Sequence, residues 1–450
     1  MHRPHDRLRF LVSLGGFLTV AAAAFILLGP PSSAGAADRL RGLTPPGATL
    51  SEPFAAPTGA SATQQEIARQ FEAVRLDRAD VAAYAALGIA YLQDVRETGD
   101  PTGYGRAEAA FTEALRLDPS NVAALVGRGS LLLSQHRFEH ALRVAQEALS
   151  RAPSTASVRG VIVDAQTELG RYDEAIDSTQ AMVDLRPDLA SYSRVSYQRE
   201  LRGDVDGAIT AMTSAFQAAS GAGVENREYL RVLLGDLFLL KGDAVGAEKI
   251  HRAALEASPD FVWALAGLAR ARAAQGDLDE AIELLQRAVA TIPLPEFVVA
   301  LGEAQDAAGR SREAGQSYEL ARTIQKLFQA NGSVVDLDLA LFEADHGDPA
   351  TAVDLARRAY EATPNVKAAD ALAWALLKAG RADEARPYAD EALRLGSPYG
   401  RFHYHAGMIA AAQGDAAAAR EHLSNALQLD PHFSPLHGPR AQAALADLGG

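Results

Sequence analysis

The sequence predicts an all-α solenoid of about ten stacked units behind an N-terminal signal or anchor segment. Three observations predict it. Pro119, Pro153 and Pro187 lie 34 residues apart, Pro259 and Pro293 lie 34 apart, and Pro364 and Pro431 lie 67 apart, two intervals. When ten units are aligned on that proline, starting at 81, 122, 156, 189, 228, 262, 295, 333, 366 and 400, one position is alanine in all ten. A self-similar period of 20–50 residues is the mark of stacked supersecondary units. The third observation is a 19-residue uncharged apolar run, Phe10–Leu28, behind Arg3, Arg7 and Arg9.

Residues 1–36 read as a signal peptide or membrane anchor. A basic start, an apolar run and a small-residue segment are the three parts of an export signal. Ala34-Gly35-Ala36 fits a cleavage site, with Ala37 as the first mature residue. The same run, at ~1.5 Å per residue, reaches about 28 Å and could span a bilayer. Either way the basic end stays inside and the rest of the chain is placed outside the cytoplasm. Residues 37–63, with Pro45, Pro46, Pro53 and Pro57, show no hydrophobic period and read as a flexible Pro/Gly/Ala linker. Residues 64–78 read as a lone helix capping the first unit, because terminal units need polar caps.

The units occupy residues 64–431. Numbered so that proline falls at position 32, each carries alanine at position 20, from Ala107 and Ala141 to Ala385 and Ala419. Position 27 is alanine in nine units, with Met182 the exception, and position 8 is small in nine, with Val163 the exception. Small side chains at these places let helices approach closely. Position 15 is glycine in eight units, Gly170 to Gly414, where a left-handed residue would end a helix at no steric cost. Acidic residues follow it, as in GRYDEA, GDLDEA and GRADEA, where Asp can cap the next helix. Proline then stops that helix. Unit one has seven extra residues around Gly99–Gly105, the steps 189–228 and 295–333 are lengthened, and Ser220, Lys326 and Ser397 replace the proline. Residues 432–450 read as a C-terminal cap or tail, with a short closing helix near 439–448.

With these residues in place, the chain resembles the tetratricopeptide repeat family over residues 64–431. The resemblance implies a right-handed superhelix of about ten pairs of antiparallel helices, A and B. It also implies that helix A positions 2, 5, 9, 12 and 13 line a concave groove where a protein or peptide partner binds. Tyr197, Tyr229, Trp263, Trp374 and Tyr404 fall on these positions, and so do Arg270 and Lys378. Neither tryptophan is at position 4, the family's structural tryptophan site. The polar groove positions include Asp164, Glu168, Glu200, Asp236, Glu303 and Asp306, then Lys367, Asp370 and Arg401, so the lining is acidic up to Asp306 apart from Arg270 and mixed beyond it.

Composition narrows the function. Lys plus Arg is 43 and Asp plus Glu is 57, a net charge of −14, which opposes nucleic-acid binding. No cysteine is present, so disulfides, thiolate metal sites and a lipoprotein anchor are excluded. Arginine greatly outnumbers lysine, a bacterial coding hint. No G-x-S-x-G, H-E-x-x-H, G-x-G-x-x-G or Walker A pattern occurs. Five of the 11 histidines, His403, His405, His422, His432 and His437, lie near the end. A metal reading would join His403 to His422, whereas His403 and His405 project about 200° apart and cannot share one face. No cofactor is called for. The expectation is a non-enzymatic interaction scaffold or assembly factor of the bacterial cell envelope. The alternatives are a metal-binding or enzymatic accessory protein using the C-terminal histidines, and an end-to-end self-assembling structural protein.

Overall fold

Small side chains decide how this chain packs. The computed structural model describes residues 61–449, so the signal or anchor segment, its cleavage site and most of the 37–63 linker lie outside the described residues. Among the described residues there are 22 α-helices, one short 3-10 turn at Ala219–Gly221, and no strand. They form a solenoid of helix pairs. The ten position-20 alanines are all at most 1% exposed. Ala114, Ala148, Met182 and Ala426 at position 27 are buried equally deeply.

The glycines at position 8 show why no larger residue fits. A Cβ on Gly88 would lie 2.5 Å from the Phe111 ring, and one on Gly235 would lie 2.6 Å from the His251 ring. Phe111 also abuts Gly127, and His251 abuts Gly267, both on the A helix of the next unit. One bulky B-helix side chain is thus held between two glycines of successive A helices. His251 is wholly buried there, with Nε2 3.4 Å from Asp236 Oδ1.

The described chain divides into two compact bodies. Residues 61–165 with 292–295 and 323–334 form the first, and 166–291 with 296–322 and 335–449 form the second. In the first, the helix Ala62–Leu76 buries Ile67, Phe71 and Val74 against unit one. It begins two residues before the expected boundary because Ser61 and Gln64 cap it reciprocally. In the second, His437–Gly449 closes the array.

Several turns differ from expectation. The extra residues of unit one do not form a loop. They lengthen its helices to Val81–Thr98 and Thr102–Leu117, leaving Gly99–Pro101 as the turn. Buried Tyr104 accounts for this, since it ties the added turn to the core. The added length of unit seven extends its B helix to Ser311–Ala330. Seven of the eight position-15 glycines have positive φ. Gly347 does not (φ −142°), and Asp348-Pro349 opens the next helix instead. His136 takes the glycine's place in unit two, with φ 57°. Asp204, Asp243 and Asp415 cap their B helices as expected. In GRYDEA and GRADEA an arginine occupies the N-cap and makes no capping bond, so the acids fall in the first turn. There they complement the helix dipole.

Within each body, units five or six apart touch along a seam. In the first body, Val334 N–H donates to Gln135 O (3.0 Å), and His136 Nδ1 lies 2.8 Å from Val334 O. In the second, Asn365 Nδ2 donates to Glu168 O (2.7 Å) and Ser397 Oγ donates to Leu201 O (2.6 Å). These acceptors are carbonyls at A-helix C-termini, which have no partner inside their own helix. Ser397, where a proline was expected, supplies one of the donors. A Cβ on Gly170 would lie 2.5 Å from Pro364 O, and one on Gly203 would lie 2.7 Å from Gly396 O.

Gly170 and Gly276 separate the seam from the turn. Both have left-handed φ, 72° and 87°, but nothing lies within 4 Å of a Cβ at Gly276. Alanine at either should lose roughly 1–2 kcal/mol for the left-handed backbone. Gly170→Ala should lose clearly more in urea unfolding, because the seam must also open. Equal losses would mean that the seam is not made in solution.

Candidate functional site

The A helices pack on one another from unit to unit and carry the candidate residues on a shared face. In the second body Tyr229, Trp263 and Phe297 come from three successive A helices, Val224–Leu240, Val262–Ala274 and Pro295–Ala307. Their rings meet edge to face, 5.8 Å between the Tyr229 and Trp263 centroids and 5.1 Å between Trp263 and Phe297. Tyr229 and Trp263 stay partly exposed. Two turns further along, exposed Arg270 pairs with Asp236 (Nη2 to Oδ1, 2.8 Å). Burial alone would raise the Asp236 carboxyl, but the Arg270 charge and His251 outweigh it and hold it below the usual carboxylate range.

Trp374 and Tyr404 are placed differently. Trp374 is 3% exposed and Tyr404 2%. The Trp374 indole donates to Asp345 Oδ1 (2.9 Å) and stacks on His405 with centroids 4.0 Å apart. His405 Nδ1 lies 2.8 Å from Asp370 Oδ1, and Arg401 Nε lies 3.5 Å from Asp370 Oδ2. Tyr404 stacks on His437, whose Nε2 is 3.4 Å from Asp345 Oδ1. Lys378 Nζ sits 5.2 Å from the Trp374 centroid and 3.8 Å from Asp345. Burial lowers the His405 pKa against the pull of Asp370, while Asp345 lies well below the carboxylate range because His437, His405 and the Trp374 donor outweigh its burial. The structure therefore packs Trp374 and Tyr404 into the core of units eight to ten and leaves Lys378 exposed at its edge.

Tyr197 is also buried and lies at the seam. Lys367 Nζ is 5.1 Å from its ring centroid and 3.8 Å from Glu168 Oε1. The Tyr399 hydroxyl donates to Glu200 Oε1 (2.8 Å), and the Val366 N–H donates to Tyr172 Oη (3.0 Å). Tyr172, Tyr399 and Asn365 were not singled out from the sequence. Their partners are about 195 residues away, so a single sequence holds no local signal for them.

Of the terminal histidines, His403 and His422 do meet, Nδ1 to Nδ1 at 3.3 Å. Among the described residues, no group of three or more His, Asp or Glu side chains is arranged to hold a metal ion. At that distance an Nδ1–H of one ring can donate to the unprotonated Nδ1 of the other.

Stacked helix pairs that carry aromatic side chains along their A helices define a helical-repeat protein. Profiles of the tetratricopeptide repeat family match residues 102–154, 126–190, 238–297 and 371–432. The chain is a tetratricopeptide repeat protein. It is 30% identical over 325 residues to the cellulose synthase operon protein C of Xanthomonas axonopodis pv. citri, a match covering 70% of this chain and 17% of that protein. The chain thus spans a minor part of that relative. Among solved structures it is similar to the Cut9–Hcn1 hetero-tetramer of APC/C (13% identity, 86% of this chain and 93% of that one, TM-score 0.39). It is also similar to a human IFIT1 dimer with m7Gppp-AAAA (18%, 70% and 72%, TM-score 0.47) and a tetratricopeptide repeat protein of Parabacteroides merdae (15%, 56% and 97%, TM-score 0.39). At such identities and scores the likeness is one of fold alone.

Two groups give stability opposite pH dependence. Burial pushes the Glu200 carboxyl up to about 7, against the Tyr399 donor and the Lys367 charge, with Asp236 adding to the rise. The stability it contributes is complete below its ordinary 4.5 and is lost as pH rises through about 7. Burial and the charge of His422 lower His403, and burial lowers His422 as well, so their contribution is complete above 6.5 and is lost as pH falls through the folded-state values. Glu200→Gln should remove the alkaline loss and His422→Gln part of the acid loss, in urea unfolding between about pH 5 and 8. Profiles parallel to that of the unaltered chain would contradict these roles.

Proposed function

We propose that this chain is a non-enzymatic interaction scaffold or assembly factor outside the cytoplasm of a bacterium, holding a protein or peptide on the A-helix face. The observation that carries this reading is the run of rings from Tyr229 through Trp263 to Phe297, continuous over three units and partly exposed at its centre. Partly exposed Trp and Tyr are the side chains that most often anchor partners. Tyr229, Trp263 and Arg270 form the accessible patch of the groove, and the buried Tyr197, Trp374 and Tyr404, with Lys378, brace its walls.

The extracytoplasmic placement is supported by Arg3, Arg7 and Arg9 ahead of Phe10–Leu28. Among the described residues no helix is long and apolar enough to cross a membrane. The name of the cellulose synthase operon relative supports a place beside an envelope-polysaccharide assembly.

Affinity capture from the native envelope tests the reading. Trp263→Ala should abolish capture of the specific partner and leave the melting temperature nearly unchanged. Trp374→Ala should instead cost about 3–5 kcal/mol, as expected for a buried tryptophan. Normal capture by a well-folded Trp263→Ala chain would place the binding surface elsewhere.

A further inference from the structure

We propose that the patch around Trp263 takes an extended basic segment, its Lys or Arg side chains set over the Trp263 ring and against Glu303 and Asp306. This rests on the groove reading above and names the chemistry of its partner.

The chain itself shows twice what this face holds. Lys367 lies over Tyr197 (5.1 Å) with Glu168 3.8 Å away, and Lys378 lies over Trp374 (5.2 Å) with Asp345 3.8 Å away. In both, an ammonium sits on the electron-rich face of a groove aromatic and beside a carboxylate, an arrangement that attracts cations through the ring quadrupole and the charge together. Trp263 is also a groove aromatic, yet no Lys or Arg among the described residues lies over its ring. Its partly exposed face is where a cation from another chain fits.

Charge bookkeeping selects the sign of the partner. The groove bases of the second body are already committed to carboxylates: Arg270 to Asp236 (2.8 Å), Lys367 to Glu168 (3.8 Å), Lys378 to Asp345 (3.8 Å) and Arg401 to Asp370 (3.5 Å). An anionic ligand would have to break these pairs. On the A helix of unit seven, by contrast, Glu303 meets His346 Nε2 (3.5 Å) and Asp306 meets Ser311 Oγ (3.2 Å), and neither pairs with a Lys or Arg among the described residues. Phe297, which touches Trp263, stands on the same helix six residues before Glu303. That is about 9 Å along the axis at ~1.5 Å per residue, the length of roughly three residues of extended chain.

Isothermal calorimetry with the full chain and three 12-residue probe peptides tests the proposal. The probes are repeats of Lys-Gly-Ser, Glu-Gly-Ser and Gln-Gly-Ser. The lysine peptide should bind, weaken as salt rises, and lose at least tenfold in affinity to Trp263→Ala and to the double variant Glu303→Gln/Asp306→Asn. The control double variant Glu256→Gln/Glu283→Gln removes the same charge from exposed B-helix positions and should change affinity less than twofold. Equal losses in the two double variants would reduce the effect to general attraction by a chain of net charge −14 and overturn the proposal. Binding of the glutamate or glutamine peptide as tightly as the lysine peptide would overturn the cationic assignment while leaving a groove for peptides standing. Failure of all three peptides to bind also overturns the proposal, and the Trp263→Ala capture experiment then decides separately whether the groove reading survives.

Discussion

The fold depends on how closely one B helix can approach two A helices at once. A bulky B-helix side chain such as Phe111 or His251 occupies the space between glycines of its own A helix and the next one. Alanine at positions 20 and 27 removes every other obstacle to that approach. Protein interiors pack at crystal-like density, so the volume of each knob must match the space left by the missing side chains opposite. Where this match repeats every 34 residues, each unit fixes the angle of its neighbour, and the A helices present one face. The candidate residues share that face for this reason.

A second constraint is the seam. Carbonyls at the ends of A helices find donors five or six units later in the chain, on Asn365 and Ser397 in one body and on Val334 in the other. Glycine at positions 170 and 203 thus serves two purposes, a left-handed turn and room for a carbonyl from a distant loop. The seam also covers some of the candidate residues: Tyr197, Glu168 and Glu200 face Lys367 and Tyr399 of the same chain, whereas Tyr229 and Trp263 stay partly exposed.

The helix pairs were legible in the sequence because their causes are local. Proline stops, glycine turns and alanine contacts act within one unit, and most of the ten units repeat them. Which A-helix positions line a groove is what the resemblance to the repeat family implies, not something the residues record by themselves. What could not be read was which groove aromatics are open. Trp263 and Trp374 both sit on groove positions, yet His405, His437 and Asp345 close around only one of them. Those contacts come from the A helices of the units on either side and from the closing helix, which no local pattern records. The same is true of Ser397, which reads as a lost proline until its partner Leu201 is seen. The lengthened unit one reads as a loop until buried Tyr104 shows that the extra residues continue the helices.

The close approach of helices is the central claim, and a double-mutant cycle at Gly88 and Phe111 tests it most directly. In an ordinary helix interior, glycine to alanine stabilises by roughly 1 kcal/mol. Here the sign should reverse: Gly88→Ala should destabilise by about 1–3 kcal/mol, because its Cβ would meet the Phe111 ring. In a Phe111→Ala background the same change should become neutral or stabilising, since the obstructing ring is gone. A Gly88→Ala substitution that stabilises the unaltered chain, or that costs the same in both backgrounds, would contradict the packing on which the fold is built.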